Sequence, residues 1–117
     1  MTLKSPKAKG SRLEREVARM IRSYLDIEAM RMPMSGAWSH FKTDIYSPDF
    51  PYSVECKNSE KFQLWQYWEQ AESQAGKKTP ILVHSANHRP VMVTLKFDEF
   101  LNLVKERNEL WQEKRGQ

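Results

Sequence analysis

Apolar residues recur at helical spacing through Leu13, Val17, Met20, Ile21, Tyr24 and Leu25, with Ser11 ahead of them as an N-cap. The pattern predicts a first helix over 11–25. Met30, Met32 and Met34 then alternate with other residues, as in a half-buried strand, until Ser35-Gly36 breaks the run. Segment 44–46 is short and β-prone. Ser47-Pro48-Asp49-Phe50-Pro51 reads as a turn from it into the strand 53–58, so the two strands should form a hairpin. No Gly, Pro or β-branched residue interrupts 63–75, which predicts a helix stopped by Gly76. Strands over 81–85 and 91–95 follow, joined by the turn-like Asn87-His88-Arg89-Pro90. A last amphipathic helix spans 97–114, with Phe97, Phe100, Leu101, Val104 and Trp111 on one side. The order α-β-β-β-α-β-β-α predicts an α/β fold with a mixed central β-sheet flanked by helices.

Composition narrows the picture. The 117 residues suit one domain over 10–117 behind a flexible basic arm over 1–9. A hydrophobic fraction of 39% with four Trp, four Tyr and five Phe argues against disorder. Apolar runs fall well short of the roughly 18 residues of a membrane span, so no membrane partner is expected. Met1 to Gly10 lack the apolar stretch of a secretory signal, and a single Cys makes no internal disulfide; a cytoplasmic protein is expected. The net charge of +4 is unevenly spread: Lys4, Lys7, Lys9, Arg12, Arg15, Arg19 and Arg22 all precede residue 25. Such a stripe serves a phosphate track or a merely solvated face.

Several polar residues stand where apolar ones are expected. At about 100° per residue, Glu14 falls inside the apolar arc of the first helix among Leu13, Ala18, Ile21 and Leu25, whereas Glu16 falls outside it. A carboxylate there needs a partner, a proton or a metal, unless it snorkels at the edge. Gln63, Gln66, Gln70 and Gln74 form a stripe beside Leu64, Tyr67, Trp68 and Ala71. In 53–58, alternation puts Ser53, Glu55 and Lys57 on one face and Val54 and Cys56 on the other. With Asp44 on a neighbouring strand, two carboxylates and an amine would share one sheet edge. Oxygen ligands of that kind suit Mg²⁺ or Mn²⁺, while an ordinary ion pair between Glu55 and Lys57 explains the same residues.

Taken in order, "KGSRLERE" at Lys9 to Glu16, "SG" at Ser35-Gly36, "KTDI" around Asp44 and "VECKN" around Glu55 and Lys57 resemble the PD-(D/E)xK nuclease superfamily. The resemblance is greatest to archaeal Holliday-junction resolvases and related phage nucleases, and covers about residues 9–95. It implies a restriction-endonuclease-like fold and a Mg²⁺- or Mn²⁺-dependent endonuclease hydrolysing the DNA backbone. In that family's pattern Asp44 and Glu55 would hold the metal with Glu14 in support, and Lys57 would position the attacking water. A glutamine near the site would be Gln70, with Gln74 or Gln66 as the alternatives. Lys9, Arg12, Arg15, Arg19, Arg22 and Ser35 would contact DNA. Branched DNA as substrate and a homodimer are likewise what the resemblance implies, in a bacterial, archaeal or phage-infected cell. The literal Pro48-Asp49 is set aside because it lies in the expected turn, whereas Asp44 begins a strand. Two other readings stay open: a nuclease of the same chemistry on duplex, nicked or single-stranded DNA, and a DNA-binding module without catalysis. Gly76-Lys77-Lys78-Thr79 lacks the first glycine of a phosphate loop, and His40, His84 and His88 show no metal-ligand spacing.

Overall fold

The structure, a computed structural model, describes residues 6–32 and 43–116. Ser35, with Met34, Trp38, His40 and Phe41, lies outside the described residues. The elements run α1 (Pro6–Leu25), β1 (Met30–Arg31), β2 (Ile45–Tyr46), β3 (Tyr52–Asn58), α2 (Leu64–Gln74), β4 (Thr79–Ser85), β5 (Met92–Thr94) and α3 (Phe97–Arg115). This is the order read from the sequence, and it makes a mixed α/β fold of the restriction-endonuclease-like type. Helix α1 begins at Pro6 and not at Ser11, because proline lacks only an N–H that the first helical turn leaves unpaired anyway.

Strands β3, β4 and β5 form a sheet in that order, β3 parallel to β4 and β4 antiparallel to β5. Parallel neighbours need a crossover, and α2 supplies it. Gly76 ends that crossover helix with φ +60, a left-handed conformation that a side chain would resist. Pro80 sits in β4 before the stretch Leu82 to His84 that pairs with β5, so its missing N–H leaves no gap in that ladder.

The core follows from alternation. Val54, Cys56, Ile81 and Val83 face α1, which buries Leu13, Val17, Ala18 and Ile21 against them, with Ala29 and Ile45 closing the cluster. Leu82, fully buried, points to the opposite face, where α2 brings Trp68 and Ala71. Helix α3 differs from both: none of its residues is buried, and Phe97 is 71% and Trp111 55% exposed.

One expectation fails. Segment 44–46 and the strand after it do not make a hairpin ladder; β2 pairs with β1 instead, Met30 opposite Tyr46 and Arg31 opposite Ile45. The physical reason lies in two side chains. The Val54 N–H donates to Thr43 Oγ1 (3.2 Å) and the Cys56 N–H to Asp44 Oδ2 (2.7 Å), so side-chain oxygens take the places of ladder carbonyls. The Asp44 N–H donates to the Val54 carbonyl at 3.1 Å. Asp44 is therefore fixed beside β3, while β2 is free to pair on its other side with β1.

Candidate active site

Asp44 reaches the site just before β2, and Glu55 and Lys57 from one face of β3. Glu55 is 4% exposed, and its carboxyl group lies 3.6 Å from the Lys57 Nζ. The two carboxyl groups lie close enough to shift each other's titration. Burial and the Asp44 charge push Glu55 up to about 8 against the pull of Lys57. Burial also raises Asp44, opposed by the Cys56 N–H and the Lys57 charge. Two acids sharing one proton in a dry place is the arrangement that a cation relieves. With only oxygen donors, the pair fits a hard divalent ion in place of that proton.

Glu14 stands apart from this pair. It is half-buried on α1, and burial with the nearby Asp44 charge raises its pKa. Its carboxylate accepts the Arg31 Nε–H at 2.6 Å, and Arg31 Nη2 donates to Ser11 Oγ at 2.9 Å. The apolar-arc position of Glu14 is thus explained by a partner on β1. Among the described residues, no three Asp, Glu, His or Cys side chains converge as a ready metal-binding set. Arg31 is the site-neighbouring residue that sequence reasoning missed. Its one available clue was a lone arginine inside the Met30–Met32 alternation, opposite a helix carrying a misplaced acid.

Helix α2 covers the other side of Lys57, whose Nζ lies 5.4 Å from the centre of the Tyr67 ring. Further along the same stripe, Gln74 lines a cavity of about 320 Å³ with Thr43 and Ser53. Gln70, one turn before Gln74 on α2, is half-buried; Gln66 is exposed. Pro48 and Asp49 occupy the middle of a turn closed by the Phe50 N–H on the Ser47 carbonyl (3.2 Å), and Asp49 is exposed. Lys78 Nζ clamps that turn by donating to the carbonyls of Ser47 (2.9 Å) and Phe50 (2.7 Å).

The basic stripe on α1 is not uniform. Arg19 is engaged with Glu16, and Arg22 donates to the Ala29 carbonyl at 2.7 Å, which ties the end of α1 to the chain that follows. Arg12 and Arg15 are exposed and make no hydrogen bond or salt bridge among the described residues; Lys9 is half-buried. Cys56 is buried beside the acids, which raises its thiol pKa far above the usual range and leaves it inert at neutral pH. His84 stacks on Phe62 at 4.3 Å and shares a hydrogen bond with Thr94 Oγ1 at 2.9 Å, a packing role. No helix among the described residues is long and apolar enough to cross a membrane.

No curated protein and no solved structure matches the chain. The family described as "Phage putative PDDEXK endonuclease" matches residues 5–115, from the start of α1 to the end of α3. Nucleases of this superfamily generally use divalent metals, in keeping with the paired acids beside Lys57. Since the match spans every element described above, the chain belongs to the phage PDDEXK endonuclease family and is a nuclease.

Proposed function

We propose that the protein is a Mg²⁺- or Mn²⁺-dependent endodeoxyribonuclease acting on branched DNA as a homodimer. The observation that carries the catalytic part is the buried Asp44–Glu55 pair with the Lys57 amine 3.6 Å from Glu55. Asp44 and Glu55 would hold the divalent ion, whose positive charge would polarise the scissile phosphate and make water a better nucleophile. Lys57 positions the attacking water and offsets charge that grows on the phosphate oxygens. Tyr67 and Glu55 restrict where its amine can go. Glu14, held by Arg31, supports the site from α1 and adds negative charge near Asp44. Gln70 borders the site from α2, and Lys9, Arg12 and Arg15 offer charge to flanking phosphates.

The homodimer draws support from α3. Phe97, Phe100, Leu101, Val104 and Trp111 are all exposed, more apolar surface than one helix usually leaves in water. Asp98 and Glu99 occupy its first turn and Lys114 and Arg115 its last, so two copies lying antiparallel would match opposite charges at both ends. The branched-DNA preference rests on the resolvase resemblance alone.

The deciding experiment incubates the protein and Asp44→Ala with end-labelled four-way junction and matched linear duplex, with Mg²⁺ or EDTA. Symmetric, metal-dependent cuts in the junction alone, lost in Asp44→Ala, are expected. Equal cutting of both substrates would remove junction selectivity, and cleavage that ignores Asp44→Ala would remove the assigned site.

A further inference from the structure

We propose that a second groove, on the α1 side of the sheet, binds a phosphate of the substrate strand through Arg12 and Arg89. The inference rests on the reading of the chain as a DNA nuclease and adds to it a binding residue, Arg89, from the turn between β4 and β5.

The groove encloses about 430 Å³ between α1 and the β4–β5 turn, with Arg12 and Arg89 among its lining residues. Its floor is the carboxyl end of the parallel pair β3 and β4, where Asn58 and Ser85 are register partners. Ligands of α/β sheets gather beyond the carboxyl ends of parallel strands, because the chain there leaves the ladder and exposes polar groups. Asn58 directly follows Lys57 on β3, so the groove lies at the same end of that strand as Lys57, on the face towards α1.

The turn that carries Arg89 is held in place. The Asn87 N–H donates to Glu60 Oε1 at 2.7 Å, Ser85 Oγ donates to the Arg89 carbonyl at 3.1 Å, and the Arg89 N–H donates to the Ala86 carbonyl at 3.2 Å. His88 adopts φ +60 to complete it. Three hydrogen bonds thus fix the turn of an exposed arginine whose own side chain makes no hydrogen bond or salt bridge among the described residues. The acid in the groove, Glu16, is engaged by Arg19, so its charge is offset and the groove is left cationic. Two guanidinium groups over Asn58, Asn87 and Ser85 suit a phosphodiester, whose oxygens accept forked hydrogen bonds from arginine. The two arginines, Asn58, Ser85 and Asn87 in the lining suit an anion better than a lipid or a hydrophobic peptide.

The test measures binding of a fluorescent DNA junction in EDTA over a range of salt, for the protein, Arg12→Ala, Arg89→Ala, Arg89→Lys and, as a control elsewhere on the surface, Lys77→Ala. Each arginine-to-alanine change should weaken binding by roughly tenfold and lower the slope of log affinity against log salt by about one. Arg89→Lys should recover the slope, and Lys77→Ala should change neither quantity. With Mg²⁺, Arg89→Ala should raise KM while leaving kcat near the wild-type value. Wild-type DNA binding with unchanged slope and affinity in both alanine variants would overturn the groove and leave the nuclease reading intact. Absence of DNA binding by the wild type would overturn both, and Asp44-sensitive cleavage tests the nuclease reading separately.

Discussion

Strand β3 and helix α3 invert the usual relation between polarity and burial. Strand β3 takes a glutamate into the interior, where it is 4% exposed, and α3 leaves Phe97 and Trp111 more than half exposed. Burial in β3 follows from position: a strand with α1 on one face, α2 on the other and β4 beside it buries whatever it carries. The sheet tolerates Glu55 because Leu82, Val54 and the α1 cluster around it supply the apolar area, worth roughly 1.5–3 kcal/mol for each large side chain. Helix α3 contributes nothing comparable to the core. The proposed homodimer would cover its apolar side, and the proposed metal chemistry would account for the site's acids.

The comparison breaks first at the acids. Asp44→Ala, Glu55→Gln and Lys57→Ala should each reduce cleavage at least ~10²-fold, as loss of a single charge-stabilising group does elsewhere. Glu55→Gln should nevertheless melt no lower than wild type at pH 8, since it removes a buried acid and keeps the volume. A lower melting temperature there would show that Glu55 holds the fold together as well as serving the site.

Next comes the core beneath them. Leu82→Ala, at a fully buried position, should destabilise the protein by ~2–5 kcal/mol in denaturant titrations. A loss under 1 kcal/mol would mean that the sheet is looser than its packing implies.

The pH dependence of the metal-free protein sharpens the contrast further. An acid whose folded value, about 8 for Glu55, lies above its unfolded value of 4.5 stabilises the fold below about pH 4.5 and loses that contribution as pH rises through about 8. The Glu55 contribution to the melting temperature should therefore fall between pH 5 and 8. Comparing wild type with Glu55→Gln isolates it, and saturating Mg²⁺ should reduce the difference by favouring the ionised pair. Parallel pH curves for the two proteins would contradict the raised value. Smaller still, Arg31→Ala should cost about 1 kcal/mol by leaving half-buried Glu14 without its partner.

Helix α3 should show the least effect on the isolated chain. Trp111→Glu should change the stability of the monomer by no more than ~0.5 kcal/mol, measured at concentrations too low for association. In sedimentation at high concentration the same change should abolish the proposed dimer. A large loss of monomer stability would place α3 in the core after all.

Much of this contrast was legible beforehand, for identifiable reasons. Gly76 and the Pro48-Asp49 turn punctuate the chain strongly, so the element order followed from local chemistry. Glu55 and Lys57 were legible because a strand's period is two, and Asp44 because of the motif around it. The β1–β2 pairing was not, since it depends on Thr43 and Asp44 taking the Val54 and Cys56 amides with their side chains. Propensity does not distinguish that from a hairpin. Arg31 and Arg89 were missed for a related reason: each acquires meaning only from a neighbour distant in sequence, Glu14 in one case and Arg12 across a groove in the other.

The two acids of the site also differ in how firmly the fold holds them. Glu55 lies in a seven-residue strand under two helices, where the amides bonded to β4 should exchange only when the sheet opens. Asp44 precedes a two-residue strand whose partner is equally short. Its attachment to β3 comes down to a few hydrogen bonds made by Thr43 and Asp44, so local opening can release it while the sheet persists. Exchange at the Cys56 amide, which the Asp44 carboxylate covers, then reports how often the site is assembled, separately from how often the protein is folded. A ligand that bridges Asp44 and Glu55 should slow that exchange without changing the slowest amides of β4.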